Sequence, residues 1–256
     1  MINKRVFDLE HAQLLSERRV NFLNHLLQDL KANTELRTAL DAGCGLGYFS
    51  KHLSSSGMKV TAFDIREENV FEARRRCGDV SFFTMDVEDP RVQGLGQFDL
   101  VLCFGLLYHL ENPFRAIRNL YNLTRKALVI ESMVASCPLP GAVLVNEDPG
   151  EDQSSRYIAF VCSEGCIIKM LYAAGFPKVY RARILPDHND FRETYSHKRR
   201  RTVLIASKID LQSPMLQMVP ESRQRPDLWR KKWVSLVLYV VHLTNGLRRK
   251  AWANRI

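Results

Sequence analysis

The sequence predicts an α/β domain built on a mostly parallel sheet. Three observations carry that expectation. Short strand-like apolar runs alternate with helix-like patterns through most of the chain. The first run ends in a cluster of glycines, Gly43, Gly45 and Gly47, which also opens a helix. The chain has 256 residues, 46% hydrophobic and 25% charged, which suits one ordinary domain with a sizeable core and an appendage. That composition argues against whole-chain disorder, a collagen-like repeat or a disulfide mini-protein. No apolar stretch reaches the roughly eighteen residues of a spanning helix. The first eight residues hold no apolar run and no small-residue cleavage site, so no secretory signal is expected.

The elements follow in order. Residues 10–31 read as an amphipathic helix, because Leu14, Leu15, Val20, Phe22, Leu23, Leu26, Leu27 and Leu30 recur at helical spacing. Residues 37–42 form a strand, 48–55 a helix that stops at Gly57, and 58–63 a second strand. A helix over 66–77 follows, with Gly78 as its expected cap. Strands are expected over 80–85, 98–104 and 126–131, and Asn112-Pro113 opens the helix between the last two. Residues 163–174 form a helix closed by Gly175, and strands over 179–183 and 202–207 complete the set. Two longer connections, 133–156 and 184–201, read as lids or binding loops. The first contains an acidic run, 146–152, and reads either as a cover over a ligand or as a plain solvated loop.

After Ser207 the character changes. Pro214, Pro220 and Pro226 punctuate a polar linker, and 227–252 is a basic, apolar-centred helical segment. The expected organisation is therefore a domain over 1–208 and a linker and tail over 209–256. Of the net charge of +9, the residues from Glu221 onward carry +7 (nine Lys/Arg against two Asp/Glu). The body is close to neutral. Cations flanking Trp, Leu, Val and Tyr suit an anionic membrane interface, or packing on the body or on a second subunit as in a homodimer. The six cysteines make no C-x-x-C pair and no zinc pattern, so reduced thiols, a cytoplasmic setting and no metal are expected.

The run Asp41-Ala42-Gly43-Cys44-Gly45-Leu46-Gly47 carries the chemistry. Glycines at the turn from strand to helix let backbone approach a ligand closely. Asp64 ends the next strand, where a carboxylate can accept both hydroxyls of a ribose. A dinucleotide would bring a pyrophosphate beside Asp41, which is repulsive. S-adenosylmethionine brings an ammonium and a sulfonium instead, so the pattern favours it over NAD.

On these residues the sequence resembles the class I S-adenosylmethionine-dependent methyltransferases over roughly residues 36–208. The resemblance implies a Rossmann-like, seven-stranded, mostly parallel sheet with helices on both faces and a C-terminal antiparallel hairpin. It implies that Asp41, Gly43, Cys44, Gly45, Gly47, Asp64, Ile65, Asp86, Val87, Cys103, Phe104 and Gly105 bind the cofactor. Asp64 falls at the ribose, Asp86 at the adenine amine and Cys103 to Gly105 near the methionine moiety.

A narrower resemblance covers 98–176. Gly105-Leu106-Leu107-Tyr108-His109, followed by Pro113, is similar to the G-x-L-Y-H-x-x-x-P segment of the tRNA wobble-uridine carboxymethyltransferases. No counterpart is read for their late Arg-Thr-x-Trp stretch, which helps hold an extra carboxylate on the cofactor, so ordinary S-adenosylmethionine is expected. Tyr108 and His109 are the candidate catalytic residues, with Tyr108 as a pocket wall and His109 as a base for a hydroxyl acceptor. Glu131 and Ser132 end strand five on the same edge. The basic run 198–201 reads as a solvated strand entry, and no aromatics are interleaved with it for RNA stacking.

The first expectation is methyl transfer to a small-molecule or lipid-like acceptor. Wobble-uridine carboxymethyl transfer is the alternative, and a cofactor-binding scaffold without turnover stands as a reading from another class.

Overall fold

The computed structural model describes residues 9–137, 139–146, 158–193 and 200–221. The expected helix over 227–252 and most of the acidic run lie outside the described residues. Helix α1 (Glu10–Asn33) buries the stripe Val20, Phe22, Leu23, Leu26, Leu27 and Leu30, as its spacing requires. Then come β1 (Thr38–Ala42), α2 (Tyr48–Ser55), β2 (Lys59–Asp64), α3 (Glu67–Arg76), β3 (Ser81–Thr84) and β4 (Phe98–Phe104). They are followed by α4 (Pro113–Leu123), β5 (Thr124–Met133), β6 (Ala142–Asn146), β7 (Ile158–Cys162) and α5 (Glu164–Ala174). Strands β8 (Lys178–Ala182), β9 (Arg201–Ser207) and β10 (Leu216–Met218) close the described chain.

The main sheet runs β10-β8-β9-β5-β4-β1-β2-β3. Strands β1 to β5 are mutually parallel, and β9 enters antiparallel to β5 with β8 antiparallel to it. Successive residues of the central strands serve opposite faces. Leu100, Leu102, Phe104 and Val129 join the core that holds α1, while Val101, Cys103, Leu128 and Ile130 join the core that holds α4 and α5. Burial on both faces explains why these strands read as continuous apolar runs. The chain order reverses between β1 and β4, and the carboxyl ends of the parallel strands share one edge there, where open α/β sheets bind ligands.

Four expectations need correction. The sheet has eight strands rather than seven, because β10 pairs with β8 through Leu216↔Ala182, Gln217↔Arg181 and Met218↔Tyr180. The stretch read as a polar linker therefore packs over its first half: Leu211 and Leu216 are buried, and Asp210 pairs with Lys178. Pro214 and Pro220 flank a short edge strand, where the missing N–H groups cost little.

The cover read over 133–156 contains structure. Strand β6 pairs antiparallel with β7 as a separate two-stranded ribbon. Pro138, Pro140 and Gly141 masked the short Ala-Val-Leu-Val run in the sequence pattern. Gly78 is not the cap of α3, because the helix already stops at Arg76 and Cys77 turns extended at φ −140°. Gly175 does cap α5, at φ +114°.

Candidate active site

The site is built at the carboxyl edge, beginning with the turn after β1. Gly43, Gly45 and Gly47 adopt φ of +72°, +51° and +80°. A side chain at Gly43 would strike Leu106, whose Cδ atoms come within 2.8 Å of the Cβ position. At Gly47 it would press on Ala73, Cys77 and Phe82, all at 3.2 Å. The turn is anchored from β2, because Gly43 N–H and Cys44 N–H both donate to the Phe63 carbonyl at 2.9 Å. Gly47 leads into α2 without a side-chain cap. The first N–H groups of a helix have no intrahelical partner, so they remain directed at this edge.

Asp64 holds the turn from below. Its Oδ2 accepts from Gly45 N–H at 2.9 Å, and its Oδ1 accepts from Arg66 N–H at 3.0 Å and Asn69 Nδ2 at 3.2 Å. The ribose candidate is therefore also the residue that positions the glycine backbone. Asp41 is buried at the end of β1, where Ser50 Oγ donates to it at 2.6 Å. Burial pushes the Asp41 carboxyl up to about 6 against that hydrogen bond, and the Asp64 charge adds to the rise. Burial, with Asp41 and Asp64 nearby, raises the Cys44 thiol, so it is no nucleophile at neutral pH.

The remaining candidates line the same edge. Ile65 follows Asp64 and is 49% exposed, an apolar surface beside the carboxylate. Asp86 follows β3, where its Oδ1 accepts from Glu88 N–H at 2.8 Å. Val87 is buried, and Asn119 of α4 donates to its carbonyl at 2.8 Å. Cys103 is buried within β4, and burial raises its thiol. Phe104 meets Phe49 edge to face with ring centroids 5.1 Å apart. Gly105 turns at φ +72° and donates to the Glu131 carbonyl at 3.0 Å.

Beyond Gly105, Leu107–His109 forms a single helical turn. Tyr108 and His109 lie with ring centroids 4.1 Å apart, their planes tilted by 44°. Tyr108 is buried, and its hydroxyl accepts from Arg201 Nη2 at 3.2 Å. Arg201 also donates through Nη1 to Glu131 Oε1 at 3.0 Å. Arg19 of α1 brings Nη2 to 3.1 Å from Glu131 Oε2, without hydrogen-bonding alignment. Its Nε has no hydrogen-bond partner among the described residues. Two buried guanidinium groups thus share one fully buried carboxylate, with half-buried Asp190 at 3.4 Å from Arg201 Nε. The Gly105 Cβ position lies 3.7 Å from Arg19 Nη1 and 3.8 Å from the Tyr108 hydroxyl. The cluster therefore reaches the carboxyl end of β4.

Residues 40–128 match the family model described as a methyltransferase domain. The chain's architecture is shared with solved structures. The N-terminal domain of EvdMO1 with SAH bound aligns at TM-score 0.61 and 20% identity, over 78% of this chain and 84% of that one. Magnesium protoporphyrin IX methyltransferase from Synechocystis with bound SAM aligns at TM-score 0.54 and 21% identity, over 77% and 83%. A tRNA U34 carboxymethyltransferase of Actinobacillus succinogenes is 33% identical over 56% of this chain and 46% of its own length. A ubiquinone biosynthesis O-methyltransferase of Bordetella avium is 30% identical over 36% and 40%. The chain spans less than half the length of these two curated relatives.

Sequence reasoning missed Arg19 and misread Arg201. The signal for Arg19 was present: it lies four residues after Leu15 and four before Leu23, on the apolar stripe of α1. Arg201, read as part of a solvated run, is buried at the start of a strand whose every residue is buried. With Thr202 it makes the first half of an Arg-Thr-x-Trp stretch, with Leu204 in place of the tryptophan. Among the described residues no helix is long and apolar enough to cross a membrane, and no metal-binding cluster occurs.

Proposed function

We propose that the domain binds S-adenosylmethionine across the ends of β1, β2 and β4 and transfers its methyl group to a small-molecule or lipid-like acceptor. The observation that carries this reading is the glycine turn, held in left-handed conformation and anchored by Asp64 beside a second buried carboxylate. Two carboxylates at the turn favour a cationic ligand and oppose a pyrophosphate. The cofactor supplies a methyl group on a positively charged sulfur. The protein's task is alignment of the acceptor behind that carbon and exclusion of competing water.

In this reading Asp64 accepts from the ribose, Ile65 and Val87 flank the adenine, and Asp86 lies at the adenine amine. Asp41 favours the ammonium end, and the backbone of Cys103 to Gly105 faces the methionine moiety. Tyr108, fixed by Arg201, forms the acceptor wall. His109 takes the proton of a hydroxyl acceptor. The tail 227–252 supplies a peripheral membrane contact, tested by liposome flotation with and without residues 222–256.

Calorimetric titration tests the donor. S-adenosylmethionine and S-adenosylhomocysteine bind in the micromolar range, NADH does not, and Asp64→Asn weakens both sulfur ligands. A preference for NADH in a folded sample overturns the reading. A second reading, carboxymethyl transfer to a tRNA wobble uridine, draws support from one contact. Arg201 donates to the Tyr108 hydroxyl beside the candidate turn, and a guanidinium there suits a carboxylated donor. Tighter binding of a carboxylated donor than of S-adenosylmethionine, together with tRNA in the purified sample, favours that reading over the first.

A further inference from the structure

Away from the donor edge, the start of α5 brings two thiols together. Cys162 is the last residue of β7, Ser163 caps α5, and Cys166 lies in the first turn of that helix. The cap is firmly built: Ser163 Oγ accepts from Cys166 N–H at 3.2 Å and from Gly141 N–H at 3.1 Å, and donates to the Leu139 carbonyl at 2.9 Å. Cys162 and Cys166 bracket this cap, four residues apart in the chain. Both line a cavity of ≈ 400 Å³, walled by Phe160 and Met170 and bordered by Glu111, Arg115 and Arg118. Cys162 is buried and Cys166 half-buried.

We propose that Cys162 and Cys166 form a reversible disulfide on exposure to a peroxide, tying β7 to the start of α5. The division of roles follows from the geometry. The neighbouring Cys162 thiol lowers the Cys166 thiol, and a helix N-terminus favours a thiolate. The Cys166 thiol and burial raise Cys162, which keeps its proton. Cys166 sulfur attacks one peroxide oxygen, the O–O bond breaks, and a sulfenic acid and one water form. Cys162 sulfur then attacks Cys166 sulfur. The S–S bond forms, the S–O bond breaks, and hydroxide leaves with the Cys162 proton as a second water. Two thiols lose two electrons in total, and hydrogen peroxide gains them. A dithiol reductant reverses the reaction by exchange.

The link has a structural consequence. Val161, next to Cys162, packs on Tyr108. Oxidation therefore restrains the strand that backs the candidate catalytic turn.

The test treats the full chain with hydrogen peroxide, alkylates the remaining thiols and reads tryptic peptides by mass spectrometry. The expected peptide spanning Cys162 and Cys166 is lighter by two hydrogens, carries no alkyl group, and regains both sites after dithiothreitol. Cys162→Ser leaves Cys166 as sulfenic or sulfinic acid, and Cys166→Ser leaves Cys162 alkylated and unoxidised. Exposed Cys137 is alkylated throughout. Full alkylation of Cys162 and Cys166 after peroxide overturns the proposal, as does a disulfide from either to Cys137. This readout needs neither donor nor acceptor, so it stands or falls apart from the methyl-transfer reading.

Discussion

The β1–β2 side of the carboxyl edge is made of backbone, whereas the β5–β9 side is made of side chains from distant parts of the chain. On the first side, glycines within five residues and an aspartate one strand later shape the turn through short hydrogen bonds. On the second, Arg19, Glu131 and Arg201 converge from α1, β5 and β9, and Tyr108 joins them from the turn after β4. Local geometry can be written into adjacent residues. A buried ion cluster exists only once the sheet has assembled, and its arginines are costly unless their partner is in place. The comparison teaches that the glycine-turn side rests on conformation and the arginine-cluster side on charge balance.

The largest expected break is on the charged side. Glu131→Ala leaves Arg19 and Arg201 without their shared carboxylate, so stability falls by about 3–5 kcal/mol in urea denaturation. Glu131→Gln, which keeps the acceptor oxygen, recovers part of the loss.

Next comes the backbone side. Gly43→Ala forces a left-handed residue, at about 1–2 kcal/mol, and drives Cβ against Leu106. Donor affinity in calorimetry falls by about tenfold or more. Adding Leu106→Ala relieves the contact but not the backbone strain, so recovery is partial.

A smaller effect is expected from Tyr108→Phe. It keeps the ring but removes the acceptor from buried Arg201, at about 1.5 kcal/mol of stability. Donor affinity stays within about twofold, and the loss appears in methyl transfer.

The smallest expected effect is the pH response of the donor edge. The Asp41 carboxyl sits at about 6, so the free domain holds a proton there under mildly acidic conditions. A cationic donor binds the ionised form. Affinity therefore rises with pH, by about tenfold from about pH 5 to about pH 7, and binding at mildly acidic pH releases a proton. The sign for stability is opposite. A carboxyl raised by burial favours the folded state at low pH, and that contribution is lost as pH rises through about 6. Asp41→Asn flattens both profiles.

What was legible in the sequence follows the same division. The strand and helix alternation, the glycine turn and Asp64 were readable because each depends on neighbours in the chain or on a fixed strand–helix spacing. Strand β10 escaped because three residues between prolines carry too little pattern, and its apolar Leu211 and Leu216 declare themselves only against β8. Ribbon β6–β7 escaped because all of β6 is exposed, which removes the alternation that marks a half-buried strand. The partners of Tyr108 escaped for a topological reason. Arg201 is 93 residues from it, and only the antiparallel entry of β9 beside β5 brings them together.

The most direct test of this division is the affinity for S-adenosylmethionine measured side by side in Gly43→Ala and Arg201→Met, with folding of each verified by thermal melting. The account predicts loss of donor binding in the first and near-normal donor binding in the second. Equal loss in two folded variants would contradict it, because the arginine cluster would then be part of the donor site.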